Sequence, residues 1–115
     1  MRFISLVKAA EGGPPPTQKA MDDMEKLIGE AFQAGWLLSA EGLLPSKLGF
    51  RVRSTDGNIT VTDGPFTEAK EIVGGFSIFT AASKEEAIAL TKKFMATATG
   101  DAECEVRQLY DVPAA

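Results

Sequence analysis

Apolar and polar residues change their spacing several times along the chain, and each spacing predicts an element. The run "RFISLVK" (2–8) is rich in β-branched and aromatic residues and predicts a buried strand. After the proline-rich "AAEGGPPP" loop, apolar residues recur at helical spacing between Thr17, a candidate N-cap, and Gly35, a candidate C-terminal stop. We interpret that helical face as core packing rather than a ligand-binding surface. Its members are Met21, Met24, Leu27, Ile28, Ala31 and Phe32.

Three further strands are predicted in the middle of the chain. "WLLSAEGLL" (36–44) forms one of them and is closed by Pro45. "LGFRVRS" and "NITVTD" alternate apolar and polar residues on either side of Asp56-Gly57, which predicts a hairpin with a tight turn. "IVGGFSIFTA" (72–81) is the next strand. Because side chains alternate along a strand, we expect Phe76 and Ile78 on one face, with Ser77 and Phe79 on the other.

A second helix and a last strand complete the predicted order. Ser83 and Glu86 form a candidate capping box, and "ECEVRQLYDV" (103–112) alternates as a strand. The helix is expected to direct six side chains to the core: Ala87, Ile88, Leu90, Thr91, Phe94 and Met95. The order βαβ, hairpin, βαβ predicts an α+β, ferredoxin-like domain over residues 1–115 with an antiparallel sheet.

One face of such a sheet is covered by the helices, and the other needs a partner. The strands "RFISLV" and "GGFSIF" are apolar on both faces, so we predict a homodimer in which two sheets pack together. The rival interpretation is a four-stranded sheet that exposes a polar face to a ligand.

Composition and charge exclude several classes of protein. The 12 basic residues are scattered and the net charge is −4, which argues against direct nucleic-acid binding. No stretch approaches the ~18 apolar residues of a membrane span, and the first residues lack a signal-peptide pattern. The single cysteine, Cys104, cannot form an intramolecular disulfide; it suits a reducing cytoplasm, and we interpret it as a small buried side chain rather than a nucleophile.

The chain contains no histidine, which removes the commonest general base and metal ligand. No metal-ligand spacing, no phosphate-binding glycine loop before a helix and no Ser/His arrangement is present. The sequence therefore predicts neither a metal nor an organic cofactor, and any acid–base chemistry falls to carboxylates, lysine, tyrosine, cysteine or the substrate itself.

The segment "DGPFTEAKEIVGGF" (63–76) resembles the signature of the YCII-related family, specifically its DGPF-type branch. "EGLLPSKLGFRVR" before it, "AECEVRQLYD" after it and "MRFISLVK" at the start extend the resemblance over nearly the whole chain. The resemblance implies a ferredoxin-like subunit that pairs into a dimeric α/β barrel. That fold agrees with the element order predicted from the apolar pattern.

The same resemblance implies two possible functions, and for each of them this chain lacks a required feature. Some members of the wider YCII group are taken to be enzymes with a His-Asp pair, one of them acting on chlorinated aromatic breakdown products. Without histidine that pair cannot be transferred to this chain. Other DGPF-type proteins are joined to, or encoded beside, extracytoplasmic-function sigma factors. This chain has no helix-turn-helix pattern, so only an indirect link to transcription would apply.

The turn at the start of the signature has a structural interpretation. Asp63 is expected to accept hydrogen bonds from nearby amides in an Asx turn. Gly64 is expected to adopt backbone angles closed to other residues, and Pro65 to end the sheet ladder. Phe66 would anchor the loop to the body of the protein.

The charged residues after the turn have two interpretations. Glu68, Lys70 and Glu71 precede Gly74 and Gly75, where the strand surface is bare, and a lysine flanked by carboxylates could bind or deprotonate a small polar molecule there. Alternatively the segment is a solvated loop in which Lys70 pairs with a neighbouring glutamate, an interaction worth under ~1 kcal/mol.

Glu41 is a carboxylate within an apolar strand. We expect its side chain to point into the barrel, where desolvation would raise its pKa toward that of a general base. Arg51, Arg53 and Arg107 also lie on strands and are candidate counter-ions for it, or else members of ordinary cross-strand pairs.

Two functions from different classes fit these residues. The first is a small-molecule enzyme without histidine, metal or cofactor, for which elimination or isomerisation suits the inventory better than hydrolysis. The second is a non-catalytic dimer that binds a ligand or a protein in a signalling or stress response. The candidate proton-transfer residues are Glu41, Asp63 and Glu71, and the candidate ligand-binding residues are Arg51, Glu68, Lys70, Gly74 and Gly75, for a small polar or aromatic compound.

Overall fold

The computed structural model describes residues 1–98 and 100–111, and within them the predicted order of elements is confirmed. The elements are β1 (Arg2–Ala9), α1 (Gln18–Ala34), β2 (Leu37–Gly42), a short 3-10 turn (Ser46–Leu48), β3 (Phe50–Thr55), β4 (Asn58–Asp63), β5 (Ile72–Thr80), α2 (Lys84–Met95) and β6 (Glu103–Gln108). Strand β2 ends two residues before the predicted Leu44, and β6 ends at Gln108. Val112, the predicted end of the last strand, lies outside the described residues.

Four strands form one antiparallel sheet in the order β2-β5-β1-β6, with β1 and β5 at its centre. This order, with both helices packed on one face, is the α+β ferredoxin-like arrangement that the sequence predicts. Within the described part of the chain, strands β3 and β4 pair only with each other and form a separate two-stranded sheet. No helix of the described chain is long and apolar enough to cross a membrane.

Local signals set the helix ends and the hairpin turn as predicted. The Thr17 hydroxyl accepts a hydrogen bond from the Ala20 amide at 3.1 Å, and Gly35 ends α1 at φ 87°. The Ser83 hydroxyl accepts from the Glu86 amide at 3.1 Å at the start of α2. Asp56 and Gly57 take φ values of 50° and 81°, the left-handed angles that a two-residue hairpin turn requires.

The core lies between the helices and one face of the sheet. Phe3 on β1 and Phe79 on β5 stack with ring centroids 5.6 Å apart, and Trp36 meets Phe79 edge-on at 6.3 Å. Leu37 and alanines of both helices complete this buried cluster. The predicted alternation along β5 is confirmed: Phe79 lies in the cluster, while Phe76 and Ile78 lie on the opposite face, across from Leu6 and Ile4.

Three residues expected in the core are exposed instead. Met21, Phe32 and Ile88 each follow a buried alanine, Ala20, Ala31 or Ala87 respectively, and so lie about 100° further round their helix. The helices approach the sheet closely through these small alanines, which leaves the edges of the apolar stripes in solvent. The prediction of a uniformly buried stripe was therefore wrong at these positions.

The sheet face opposite the helices has an apolar centre and charged margins. Ile4 and Leu6 on β1 pair with Ile78 and Phe76 on β5, and all four are half-buried. Lys8 also lies on this face and pairs with Glu105 on β6, with 2.6 Å between Nζ and Oε1. We call this surface the open sheet face.

Candidate functional site

A cavity of about 480 Å³ lies where the β2–β3 connection, the base of the hairpin and the segment after it meet. This volume is within the range of small-molecule pockets. Its wall is mainly apolar and includes Leu43, Leu44, Phe50, Phe66, Ile72 and Val73. Arg51 and Glu71 contribute the two charged side chains of the lining. The site can therefore surround an apolar body and offer one cation and one carboxylate to its polar groups.

Arg51 is held in place from two sides. Its guanidinium carbon lies 3.8 Å from the centroid of the Phe66 ring, a cation–π contact. The same guanidinium donates to the Glu68 carboxylate. A hydrogen bond with its own backbone amide and the bond from Arg51 lower the pKa of Glu68. Because both side chains are substantially exposed, we expect this ion pair to contribute little to stability.

Ser46 joins three segments that are distant in sequence. Its backbone N–H donates to a Glu11 oxygen at 2.8 Å, and its hydroxyl donates to the other oxygen of the same carboxylate. The Phe66 amide in turn donates to the Ser46 hydroxyl at 3.4 Å. The buried Ser46 thus ties the loop after β1 to the turn that carries Phe66, which fixes one wall of the cavity.

The turn at 63–66 is held by close packing of its backbone rather than by hydrogen bonds to the Asp63 carboxylate. The Gly64 amide donates to the Gly49 carbonyl at 2.9 Å, and a Cβ on Gly64 would lie 1.8 Å from the Ser46 carbonyl oxygen. Gly64 does not have a positive φ, so the predicted reason for a glycine here was wrong; close packing is the reason. The predicted Asx turn is also absent, since within the described residues the exposed Asp63 carboxylate accepts no hydrogen bond.

The structure brings only some of the predicted site residues together. Arg51 and Glu71 line the cavity. Glu68 lies outside the lining and forms an ion pair with Arg51. Lys70 is exposed, lies outside the lining and forms no ion pair within the described part of the chain. The predicted solvated pair of Lys70 with Glu68 or Glu71 was therefore wrong, because Glu68 binds Arg51 instead.

The paired glycines serve the sheet rather than the cavity. A Cβ on Gly75 would come within 3.0 Å of the Glu41 carbonyl oxygen on the neighbouring strand, so close strand packing explains this glycine. Gly74 is exposed, its carbonyl accepts from the Leu43 amide at 3.0 Å, and a Cβ there would meet nothing within 4 Å. Neither glycine lines the cavity.

Glu41 lies on the open sheet face, opposite Phe76, and its side chain is exposed. The desolvation expected for this carboxylate is not found in the single chain. Arg107 shares the face but lies on β6, three strand spacings or about 14 Å from β2. The counter-ion prediction was wrong, since in the described chain none of Arg51, Arg53 and Arg107 forms an ion pair with Glu41.

Sequence reasoning missed Glu11, Ser46 and the two leucines after β2. Leu43 and Leu44 were assigned to a strand, although two adjacent apolar residues before a proline break strict alternation and signal the end of a strand. Nothing local marks Glu11, whose partner lies 35 residues away. Its role follows only from the folded chain.

Comparison with known proteins identifies the family of this chain. The profile of the YCII-related domain matches residues 1–110. The chain belongs to the YCII-related family. The chain is similar to an uncharacterised protein of Rhizobium meliloti (strain 1021). The two sequences are 29% identical over 92 residues, which cover 80% of this chain and 74% of the relative. The family match thus spans every strand and helix of the fold and all residues that line the cavity, and the uncharacterised relative indicates no activity.

Cys104 of this YCII-related chain behaves as a packing residue. Its half-buried side chain lies on β6, on the helix side of the sheet with Val106. Burial raises the pKa of the Cys104 thiol, and hydrogen bonds with Ser5 and the Leu6 backbone lower it to a smaller extent. A thiol with a raised pKa stays protonated at neutral pH, which is consistent with the interpretation of Cys104 as a small apolar side chain.

The Glu11–Ser46 contact predicts a specific pH dependence of stability. Hydrogen bonds from the Ser46 hydroxyl and amide lower the pKa of Glu11 below its usual 4.5. The stabilisation is therefore fully present above pH about 4.5 and is lost as pH falls through the lowered value. Urea unfolding of wild type and Glu11→Gln should give a stability difference that is constant near neutral pH and shrinks below pH about 4.5.

The control for this prediction is the same substitution in a Ser46→Ala background. Without the hydroxyl donor, the pH-dependent part of the Glu11→Gln difference should become smaller. A difference that does not change with pH in either background would show that Ser46 does not stabilise the charged carboxylate.

Proposed function

We propose that the protein binds a small anionic molecule with an aromatic or other apolar body in the cavity beside Arg51. The observation that carries the proposal is the composition of the cavity wall, in which one arginine and one glutamate face a largely apolar interior. Pockets of this size with few polar groups are the usual form of a small-molecule site. The apolar wall would remove the body of the ligand from water, and Arg51 would orient its charge.

Arg51 is suited to bind a carboxylate because its guanidinium presents several N–H donors in one plane. Stacking on Phe66 orients that plane before a ligand arrives. The exposed Glu68 occupies part of the guanidinium and is weakly held, so a ligand anion can share or replace it at small cost. The sequence suggests Lys70 or an arginine for the anion-binding role, and this proposal assigns that role to Arg51.

Catalysis without a cofactor would depend on Glu71. It is the carboxylate in the cavity lining, whereas Glu41 lies on the open sheet face and Asp63 lies outside the lining. A proton transfer by Glu71, with the developing anion stabilised by Arg51, would support elimination or isomerisation. Without such a transfer the same cavity serves a non-catalytic binding protein, and Glu71→Gln separates the two by abolishing turnover or leaving it unchanged.

The test compares two cation-removing variants. Calorimetric titration with aromatic and short aliphatic carboxylates, taken from a screen against wild type, should show binding about 10- to 100-fold weaker in Arg51→Met, the scale of one charge-assisted hydrogen bond. Lys70→Met removes the same charge outside the cavity and should bind like wild type. Equal affinity in wild type and Arg51→Met, or a larger loss in Lys70→Met, would refute the proposed site.

We further propose that the protein is a homodimer of the DGPF-type branch, paired through the open sheet face. The half-buried apolar residues of that face, which neither α1 nor α2 covers, support the pairing, and the segment 63–76 supports the branch. Packing two such faces would remove Ile4, Leu6, Phe76 and Ile78 from water. Glu41 would then lie at the margin of the dimer rather than in free solvent.

A further inference from the structure

The hairpin β3–β4 is an unpartnered arm. Among the described strands it pairs with no other, and all twelve of its strand residues are exposed. Its register places Phe50, Val52, Ile59 and Val61 on one face, each 58% to 72% exposed, and this is the hairpin face. A two-stranded hairpin alone is marginally stable in water, so an ordered arm of about 20 Å needs something to pack against.

A second exposed apolar surface lies at the cavity. Leu43, Leu44 and Leu48, which we call the leucine rim, line the cavity and are 48% to 78% exposed. The cavity is therefore open to solvent along these leucines. The hairpin face and the leucine rim together present seven large apolar side chains that the single chain leaves uncovered.

The total exposed area of the chain indicates that a second copy covers the hairpin face and the leucine rim. The chain exposes 8543 Å², whereas a compact monomer of this mass exposes only about 6,100 Å². Its radius of gyration is 16.2 Å, against about 13 Å for a compact domain of this length. The excess of roughly 2,400 Å² per chain is of the size that one subunit contributes to a large obligate homodimer, and it is well above the ~800 Å² per partner of a standard-size interface.

We propose that the hairpin face of each copy packs on the leucine rim of a second copy and closes its cavity, so that each site contains residues of both chains. This rests on the dimer proposed above and adds where the arms lie. A two-fold contact repeats every pairing, so arm on rim occurs twice and covers both surfaces in one interface. Packing hairpin on hairpin would leave the leucine rim exposed.

The first test changes the charge on each face of β4. Ile59→Lys places a cation on the hairpin face, and Thr60→Lys places one on the opposite, polar face of the same strand. Light scattering should give twice the 12.2 kDa chain mass for wild type and Thr60→Lys. Ile59→Lys should weaken dimerisation at least 100-fold while keeping its circular dichroism spectrum, since Ile59 is exposed in the single chain.

The second test is a cross-link in a Cys104→Ala background. Leu44→Cys combined with Ile59→Cys should form disulfide-linked dimers on mild oxidation, because the proposal places rim and arm of different chains together. Leu44→Cys combined with Thr60→Cys is the matched control and should remain largely uncross-linked. Dimers formed by Ile59→Cys alone, with no gain from Leu44→Cys, would instead show hairpin-on-hairpin packing and overturn the arm exchange.

The outcomes distinguish this inference from the proposals on which it depends. A wild-type mass of 12.2 kDa at micromolar concentration overturns both the dimer and the arm exchange. A dimeric Ile59→Lys without the Leu44–Ile59 cross-link overturns the arm exchange alone and leaves the sheet-face dimer. Failure of the Arg51 titration removes the ligand site and does not alter mass or cross-linking.

Discussion

Replacing Phe79 with alanine should lower the free energy of unfolding by about 3–5 kcal/mol, the usual cost of truncating a buried phenylalanine. Phe79 is 2% exposed and contacts two other aromatic rings, those of Phe3 and Trp36. It also lies on a central strand, bonded to β1 and β2. The cavity left by its ring would open between sheet and helices, where the backbone cannot collapse to fill it.

The measurement is guanidinium unfolding at one fixed protein concentration, because the proposed dimerisation would make apparent stability depend on concentration. Phe32→Ala is the matched control, since it deletes the same ring from an α1 position that is 45% exposed. It should cost less than half as much as Phe79→Ala. Equal losses for the two variants would show that the core does not centre on Phe79.

The parts of the fold predicted from sequence are those with local causes. The caps at Thr17 and Ser83 and the turn at Asp56-Gly57 each depend on residues within a few positions, so the sequence pattern contains the whole signal. The alternation of Phe76, Ser77, Ile78 and Phe79 depends only on the geometry of a strand. These features could be located before any tertiary contact was known.

The predictions that were wrong or incomplete depend on how closely the helices and strands pack against one another. A 3.6-residue period identifies the apolar stripe of α1 but not its width, which here is limited by close contact through Ala20 and Ala31. The hairpin was predicted correctly as a hairpin, yet its detachment from the main sheet follows from the path of the β2–β3 connection. The spacing of apolar residues in the sequence does not predict the path of this connection.

The candidate site shows the same division. Lys70 is a candidate ligand-binding residue because the segment after Phe66 is rich in charge. Charge alone, however, does not show which side chains face a cavity. Arg51 and Glu71 do so because the 3-10 turn and the Ser46 contacts bring two distant loops together. The Glu11–Ser46 contact spans 35 residues and leaves no trace in local spacing.

Gly64→Ala should destabilise the protein by about 3 kcal/mol, at the upper end of the usual cost of overpacking. The added Cβ would lie 1.8 Å from the Ser46 carbonyl oxygen and 2.7 Å from its carbon. Both atoms belong to the backbone, so no rotamer change relieves the overlap, and the 3-10 turn must move. Gly74→Ala is the matched control, because its Cβ meets nothing within 4 Å, and it should change stability by less than ~1 kcal/mol.

The same substitution should also weaken ligand binding if the cavity is the site. Ser46 bonds Glu11 and Phe66, and Phe66 supports the Arg51 guanidinium, so displacement of Ser46 should shift the Arg51 guanidinium. Chemical denaturation and titration with the same carboxylate should therefore both separate Gly64→Ala from Gly74→Ala. A loss of stability with unchanged affinity would show that the turn supports the fold but does not position Arg51. Equal stability of the two variants would contradict the close packing of Gly64 against Ser46.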